Sequence, residues 1–429
     1  MNMHRSFALA ICCALCLVAP NNLFAQSTPS STEDDTEAAQ ELSLEAELEA
    51  LEAEVYDTPA PADSALALPS GAPTAASVGA AALQSMNPDI SFILSLAGAW
   101  FSDEPDMRGG HDPSNFGFNL QGLELAVGSD VGPYFRFDSA LVFYQGGVEM
   151  EEAYASTLAL PAQFQARAGQ FKTRFGRLNS THLHQWNFVT QSLVSAKFLG
   201  GEGLRGLGAE VSRLALWVPG TFRWYLAAQN ISSGATGRSF APSSSDIETF
   251  SDLTVTARAE EFVELSSNWD LLFGLSYANG VNKTGRDNRT EIYGADTYLK
   301  WRPRTEGGRS QVGWQTEFML RRRQLPGTVL QDFGVSSWVQ WTINQRWATA
   351  VRGEYISAVD SDPLDPEWNE DRRRAEAQVS FAPSHFSRLR LQYGLDHMPY
   401  RAGTSDDEWV QMVLLQAEFS VGAHGAHSY

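Results

Sequence analysis

From about residue 89 to the C-terminus, apolar and polar residues alternate with a period of two. In 134–143, Phe135, Phe137, Leu141 and Phe143 share one face, and Arg136 and Asp138 share the other. In 388–396, Leu389, Leu391, Tyr393 and Leu395 oppose Arg388, Arg390, Gln392 and Asp396. In 311–322, Val312, Trp314, Phe318 and Leu320 oppose Gln311, Gln315, Glu317 and Arg321. Successive side chains of a strand point to opposite faces, so each run predicts a strand with one apolar and one charged face. Sixteen runs can be marked: 89–100, 117–128, 134–143, 149–158, 164–175, 208–217, 222–230, 253–265, 270–278, 290–301, 311–322, 333–342, 347–356, 373–382, 388–396 and 409–420.

The links between the runs alternate in length. Stretches 129–133, 218–221 and 343–346 are short, whereas 102–115, 231–252 and 359–371 are long and polar. Short turns at one rim and long loops at the other are the rhythm of a transmembrane β-barrel, and an even count puts both chain ends at the same rim. A soluble sandwich or propeller would need a dry apolar interior, and these strands carry too many Arg, Asp and Glu for that. The predicted fold class is therefore all-β: a transmembrane antiparallel up-and-down barrel of about 16 strands. Its apolar face meets lipid, and its charged face lines a hollow, water-filled lumen. Trp100, Trp217, Trp224, Trp301, Trp341, Trp347 and Trp409 fall at or near strand ends, where interface girdles belong. Phe419 closes the last run, and residues 421–429 extend past it.

Upstream of residue 89 the character changes. Residues 1–25 have a basic start at Arg5, an apolar run over 7–18 and a Leu23-Phe24-Ala25 site before Gln26, the anatomy of a secretory signal peptide. Cys12, Cys13 and Cys16 all lie within it, so the mature chain is expected to hold no disulfide, thiolate metal site or Cys nucleophile. No later apolar run approaches the length of a membrane helix. The formal charge is −20, with 31 Lys and Arg against 51 Asp and Glu. Between residues 27 and 88 there are acids but no Lys or Arg, so the acidity is concentrated there and nucleic-acid binding is not expected. Residues 26–57 form an acidic helical segment in which Leu44, Leu48, Leu51 and Val55 make one seam of a short coiled coil. Residues 58–88 read as a Pro/Ala-rich linker, and 89–429 as the barrel. A periplasmic acidic helix could trimerise the barrel or touch peptidoglycan; the alternative is a solvated spacer.

The string Gly169-Gln170-Phe171-Lys172-Thr173-Arg174-Phe175-Gly176 resembles the GxFKxPF strand of the phosphate-selective porin O/P family. Arg174 stands where that family has Pro, and Asn179 lies near where an acid is usual. The resemblance implies a 16-stranded trimeric porin, in some members with an N-terminal coiled coil. It does not carry phosphate selectivity, because the family's anion-binding residues have no placed counterparts here. The stretch 175–207 and the GAHGAH tail also resemble outer-membrane proteins named zinc-regulated receptors, which implies a divalent metal.

The link 176–207 is the longest, and unlike the others it is rich in large apolar residues: Leu178, Trp186, Phe188, Val189, Leu193, Phe198 and Leu199. It is expected to fold into the barrel and narrow the pore. Arg167, Lys172, Arg174, Arg177, Lys197 and Arg205, with Glu202, give it a basic neighbourhood that would draw anions toward a constriction. The alternative is that these cations pair with lumen acids and leave selectivity alone. His182 and His184 would share a face if extended, and His424 and His427 lie three apart; either pair could contribute to a metal site, although neither supplies a full ligand set. No nucleophile elbow, zinc-protease or phosphate-loop motif is present, and the expectation is that the protein is not an enzyme. A plugged receptor of about 22 strands needs more chain than this.

Taken together, the residues predict a porin of the bacterial outer membrane that lets small hydrophilic solutes or anions pass as a homotrimer in lipid. A metal-linked channel and a structural anchor reaching the cell wall are the alternatives.

Overall fold

The computed structural model describes residues 88–216, 220–231, 236–240, 248–285, 287–303, 310–398 and 409–422. The acidic segment, the linker and the tail with His424 and His427 lie outside the described residues. Sixteen antiparallel strands close into one barrel, each pairing with its neighbours in the chain and β1 (Asp89–Phe101) pairing with β16 (Trp409–Gly422). The others are β2 (Gly117–Val131), β3 (Phe135–Tyr144), β4 (Gly147–Thr157), β5 (Phe164–Lys172), β6 (Arg205–Ala215), β7 (Thr221–Asn230), β8 (Thr254–Ser266) and β9 (Trp269–Val281). They continue with β10 (Arg289–Trp301), β11 (Gln311–Leu325), β12 (Thr328–Thr342), β13 (Trp347–Ile356), β14 (Arg372–Ser384) and β15 (Ser387–His397).

The two faces separate as the period demands. Leu389, Leu391, Trp314, Phe318 and Trp341 are exposed on the outside, whereas Arg390, Gln392, Gln315, Glu317 and Arg321 are buried inside. The outward set is the apolar surface that lipid covers.

Two expectations are corrected. The link anticipated at 323–332 is a two-residue hairpin, because β11 and β12 run on to Leu325 and Thr328, which pair. Arg323 and Asp332 belong to these strands and face inward, where they form buried ion pairs with Asp362 and Arg321. Gly327 takes the positive φ of 83° that the tight turn needs. The long-loop rim is therefore interrupted by tight hairpins after β3 and after β11.

The lumen is also less hollow than its charge suggests. Loops enter it and bury an apolar cluster of Phe175, Leu193, Val194, Phe198, Leu199 and Leu204 with Ile231, Phe240 and Trp368 from other loops. Inward strand residues Ala278, Ile292, Met319 and Ile356 complete this cluster. The wall charges avoid the cost of a dry interior by pairing with each other and with the backbone of the entering loop.

Candidate functional site in the lumen

Residues 173–204, between β5 and β6, enter the lumen and carry the short helix α1 (Leu193–Leu199). A loop without its own ladder must find partners for its backbone, and the wall supplies them. Glu317 accepts from the N–H groups of Arg177 (2.7 Å) and Leu178 (2.8 Å). Arg390 donates to the carbonyls of Trp186 (2.6 Å) and Phe188 (3.2 Å), and Gln392 accepts from Val189 N–H (2.7 Å). Arg352 donates to the Thr190 and Gln191 carbonyls at 3.2 Å. At the start of α1, Glu354 accepts from Ser192 Oγ (2.6 Å) and Leu193 N–H (3.1 Å), where a carboxylate suits the free amides.

Beside the loop lies a cavity of about 330 Å³. Its lining includes Lys172, Arg177, Lys300, Arg352 and Arg388 together with Glu151, Glu202 and His111. The other sequence-predicted residues are placed differently. Arg167 and Arg174 both turn to Glu210, at 2.9 and 3.2 Å, and stack over the Phe171 and Tyr225 rings. Arg205 is ion-paired with Glu149. Arg177 donates to Gln315 Oε1 (2.7 Å) and lies over the Tyr298 ring, so an amide and a ring hold it rather than a carboxylate.

Lys197 is fully buried, 3.1 Å from Asp332 and 4.5 Å from the Trp368 ring centroid. It belongs to a second cluster, in which Arg321 and Arg323 from β11 and Arg238 from the loop after β7 hold Asp332, Asp362 and Asp365. Burial and the neighbouring Arg321 lower the Lys197 pKa to about 7, against the pull of Asp332 and Asp365.

His182 and His184 are not extended. A short 3₁₀ turn over Leu183–Gln185 stacks their rings 6.0 Å apart. His182 donates from Nδ1 to Glu151 (2.7 Å) and from Nε2 to Glu152 (2.9 Å), and His184 Nδ1 lies 3.0 Å from Glu124. Burial and Lys172 would lower the His182 pKa, but Glu124, Glu151 and Glu152 outweigh them and push it up to about 10.

The members of this His/Glu cluster that sequence reasoning missed are His111, Glu124, Glu149, Glu151 and Glu152. Two β-bulges explain their convergence. Between β3 and β4, Glu152 pairs with Ala140 and Met150 with Leu141, which leaves Glu151 as the extra residue. Between β1 and β2, Ser95 pairs with Gly122 and Leu96 with Leu120, which leaves Gln121 as the extra residue. A bulge re-aims side chains, so neighbouring Glu151 and Glu152 both reach the His182 ring. The available signal was the acid run Glu149-Met150-Glu151-Glu152, too dense for an exposed lipid face.

The motif string is explained in part by the same region. A side chain at Gly169 (φ 137°) would strike Tyr154 and the Ala153 carbonyl. Phe171 and Phe175 are fully buried, and Lys172 reaches Glu151 at 3.3 Å.

Three solved structures share the fold. The outer membrane channel DcaP of Acinetobacter baumannii is 12% identical, with a TM-score of 0.54 over 79% of this chain and 98% of that one. The anion-selective porin from Comamonas acidovorans is 10% identical, with a TM-score of 0.51 over 78% and 99%. Pseudomonas putida OprB is 9% identical, with a TM-score of 0.51 over 81% and 97%. No family model matches the chain, so the likeness to the porin O/P family stays with its one strand. The closed barrel and its likenesses define a porin-like β-barrel of the bacterial outer membrane. Within that class, the chain belongs to the family of an uncharacterized protein of Aquifex aeolicus (strain VF5), 30% identical over 353 residues that cover 75% of this chain and 73% of that protein.

Proposed function

We propose that this protein is a passive diffusion channel for small hydrophilic solutes, with a preference for anions set beside the infolded loop. The carrying observation is Arg177, which faces the cavity held by an amide and a ring, beside Lys172, Arg352 and Arg388, whose ion pairs are with Glu151, Glu376 and Glu418. Cationic linings in a narrow, partly desolvated passage raise the local concentration of anions. One fold neighbour is an anion-selective porin, which agrees with this reading, although the likeness extends to fold alone. The test is the reversal potential of the reconstituted protein across a salt gradient. An anion-selective sign that weakens in Arg177→Glu is expected, and cation selectivity overturns the reading.

We further propose a homotrimer. On the outer wall a depression is lined by Ala155, Ala166, Ala168, Ala209 and Ala228. Small residues let membrane-embedded surfaces approach closely. Sedimentation of the detergent-solubilised protein should give three chains per particle, and a monomer refutes this.

A further inference from the structure

The loop after β1 meets the infolded loop at a contact that brings His111 between two carboxylates. The approach is backbone to backbone: Gly110 N–H donates to the Gly201 carbonyl at 2.9 Å. A side chain at Gly110 would collide with Glu202, and one at Gly201 would lie 2.7 Å from the Arg108 carbonyl. Asp112 strengthens the join by accepting from Gln191 N–H at 2.8 Å.

His111 is fixed from both sides. Its Nδ1–H donates to the Gln121 carbonyl at 2.9 Å, and Gln121 Nε2 donates back to the His111 carbonyl at 2.9 Å. Gln121 is itself the residue that the β2 bulge sets apart. A divalent ion that displaces the Nε2 proton would meet the arrangement in which a carbonyl, through Nδ1–H, orients a metal-ligating histidine. Nε2 lies 3.4 Å from Glu151 Oε1 and 3.2 Å from Glu202 Oε2, with an imidazole only 5% exposed. Apart from these facing contacts, neither His111 Nε2 nor Glu202 Oε2 makes a hydrogen bond among the described residues.

We propose that His111, Glu151 and Glu202 bind a divalent transition-metal ion of the zinc class, with the fourth coordination position facing the lumen cavity. One ligand atom from each of the three lies within 4.8 Å of the others. Tetrahedral bonds of about 2.0–2.1 Å put ligand atoms roughly 3.3–3.4 Å apart, close to both distances at Nε2. The imidazole favours zinc-like ions over calcium or magnesium, which prefer all-oxygen shells. All three residues line the cavity, which gives an entry path and room for a water or solute ligand. The second oxygen of Glu151 is held by His182 (2.7 Å) and Lys172 (3.3 Å), which leaves Oε1 to the metal. Among the described residues, Glu124, Glu149, Glu151, Glu152 and Glu202 are ion-paired with Lys172, Arg205 and the imidazoles of His111, His182 and His184.

The test is titration of the full-length, detergent-folded protein with Co²⁺, read by its ligand-field absorption, followed by displacement with Zn²⁺. One ion per chain with tetrahedral bands is expected. His111→Ala should abolish the bands, and Glu202→Gln should weaken binding at least roughly tenfold. Glu202 is a loop residue, so its variant decides the matter if His111→Ala fails to fold. A His424→Ala/His427→Ala variant should bind as the parent does. The proposal falls if no ion binds, if both site variants bind like the parent, or if binding disappears with the tail histidines. It stands or falls separately from anion preference, which conductance measures.

Discussion

Two buried charge clusters flank the infolded loop. On the β11–β12 side, Arg321 donates to Asp332 at 2.8 and 2.7 Å and to Asp365 at 2.8 Å, while Arg238 donates to Asp365 at 2.8 Å and Glu367 at 2.6 Å. On the β2–β4 side the cations are mostly imidazoles, and carboxylates exceed permanent cations. Guanidinium groups offer several fixed donors and cannot lose their charge. They therefore make a densely ion-paired joint between wall and loops, although Arg323 Nε and Nη2 are left without hydrogen-bond partners. An imidazole has two nitrogens whose roles depend on what faces them. The same depth of burial thus gives a rigid seam on one side and a ligand-ready pocket on the other.

The largest effect should come from breaking the densely ion-paired side. Arg321→Ala leaves Asp332 and Asp365 buried with fewer partners, and equilibrium urea unfolding should show a loss of about 3–5 kcal/mol. Glu124→Gln on the other side should cost at most about 1 kcal/mol, because it removes a carboxylate from a site that has too many. Equal losses in the two variants would erase the contrast between the clusters.

A third effect concerns pH. The folded Lys197 value of about 7 lies below its ordinary 10.5, so the folded protein binds less of this proton between those values. Stability therefore rises with pH across that window. The parent should gain stability relative to Lys197→Met as pH increases from about 7 to 10.5 in matched unfolding curves. A difference that stays flat over this range would show that Asp332 and Asp365 keep the ammonium charged.

The barrel could be read from sequence because lipid enforces a period of two on every strand. The infolded loop could be read because Trp186, Phe188, Leu193 and Phe198 have no place in a solvated loop. The hairpin at 326–327 could not, since Arg323 and Asp332 read as parts of a polar link until Arg323 is known to face Asp362 and Asp332 to face Arg321. His111 was equally hidden. Its partners come from two bulges, and a bulge interrupts the periodicity that sequence reading relies on. Nor does local sequence reveal that Arg167 and Arg174 share Glu210.

The clamps on the infolded loop also bear on the order of assembly. The His/Glu pocket joins residues 10 to 91 positions apart, as in His111–Gln121 and His111–Glu202. The wall clamps span 138 to 204 positions, from Arg177–Gln315 to Trp186–Arg390. Contacts at short separation close with little loss of chain entropy, whereas distant ones must wait for the intervening strands. The pocket can thus form within the first six strands, and the later strands then close around a loop already in position. Such a barrel is wrapped about its own constriction instead of being threaded by it afterwards.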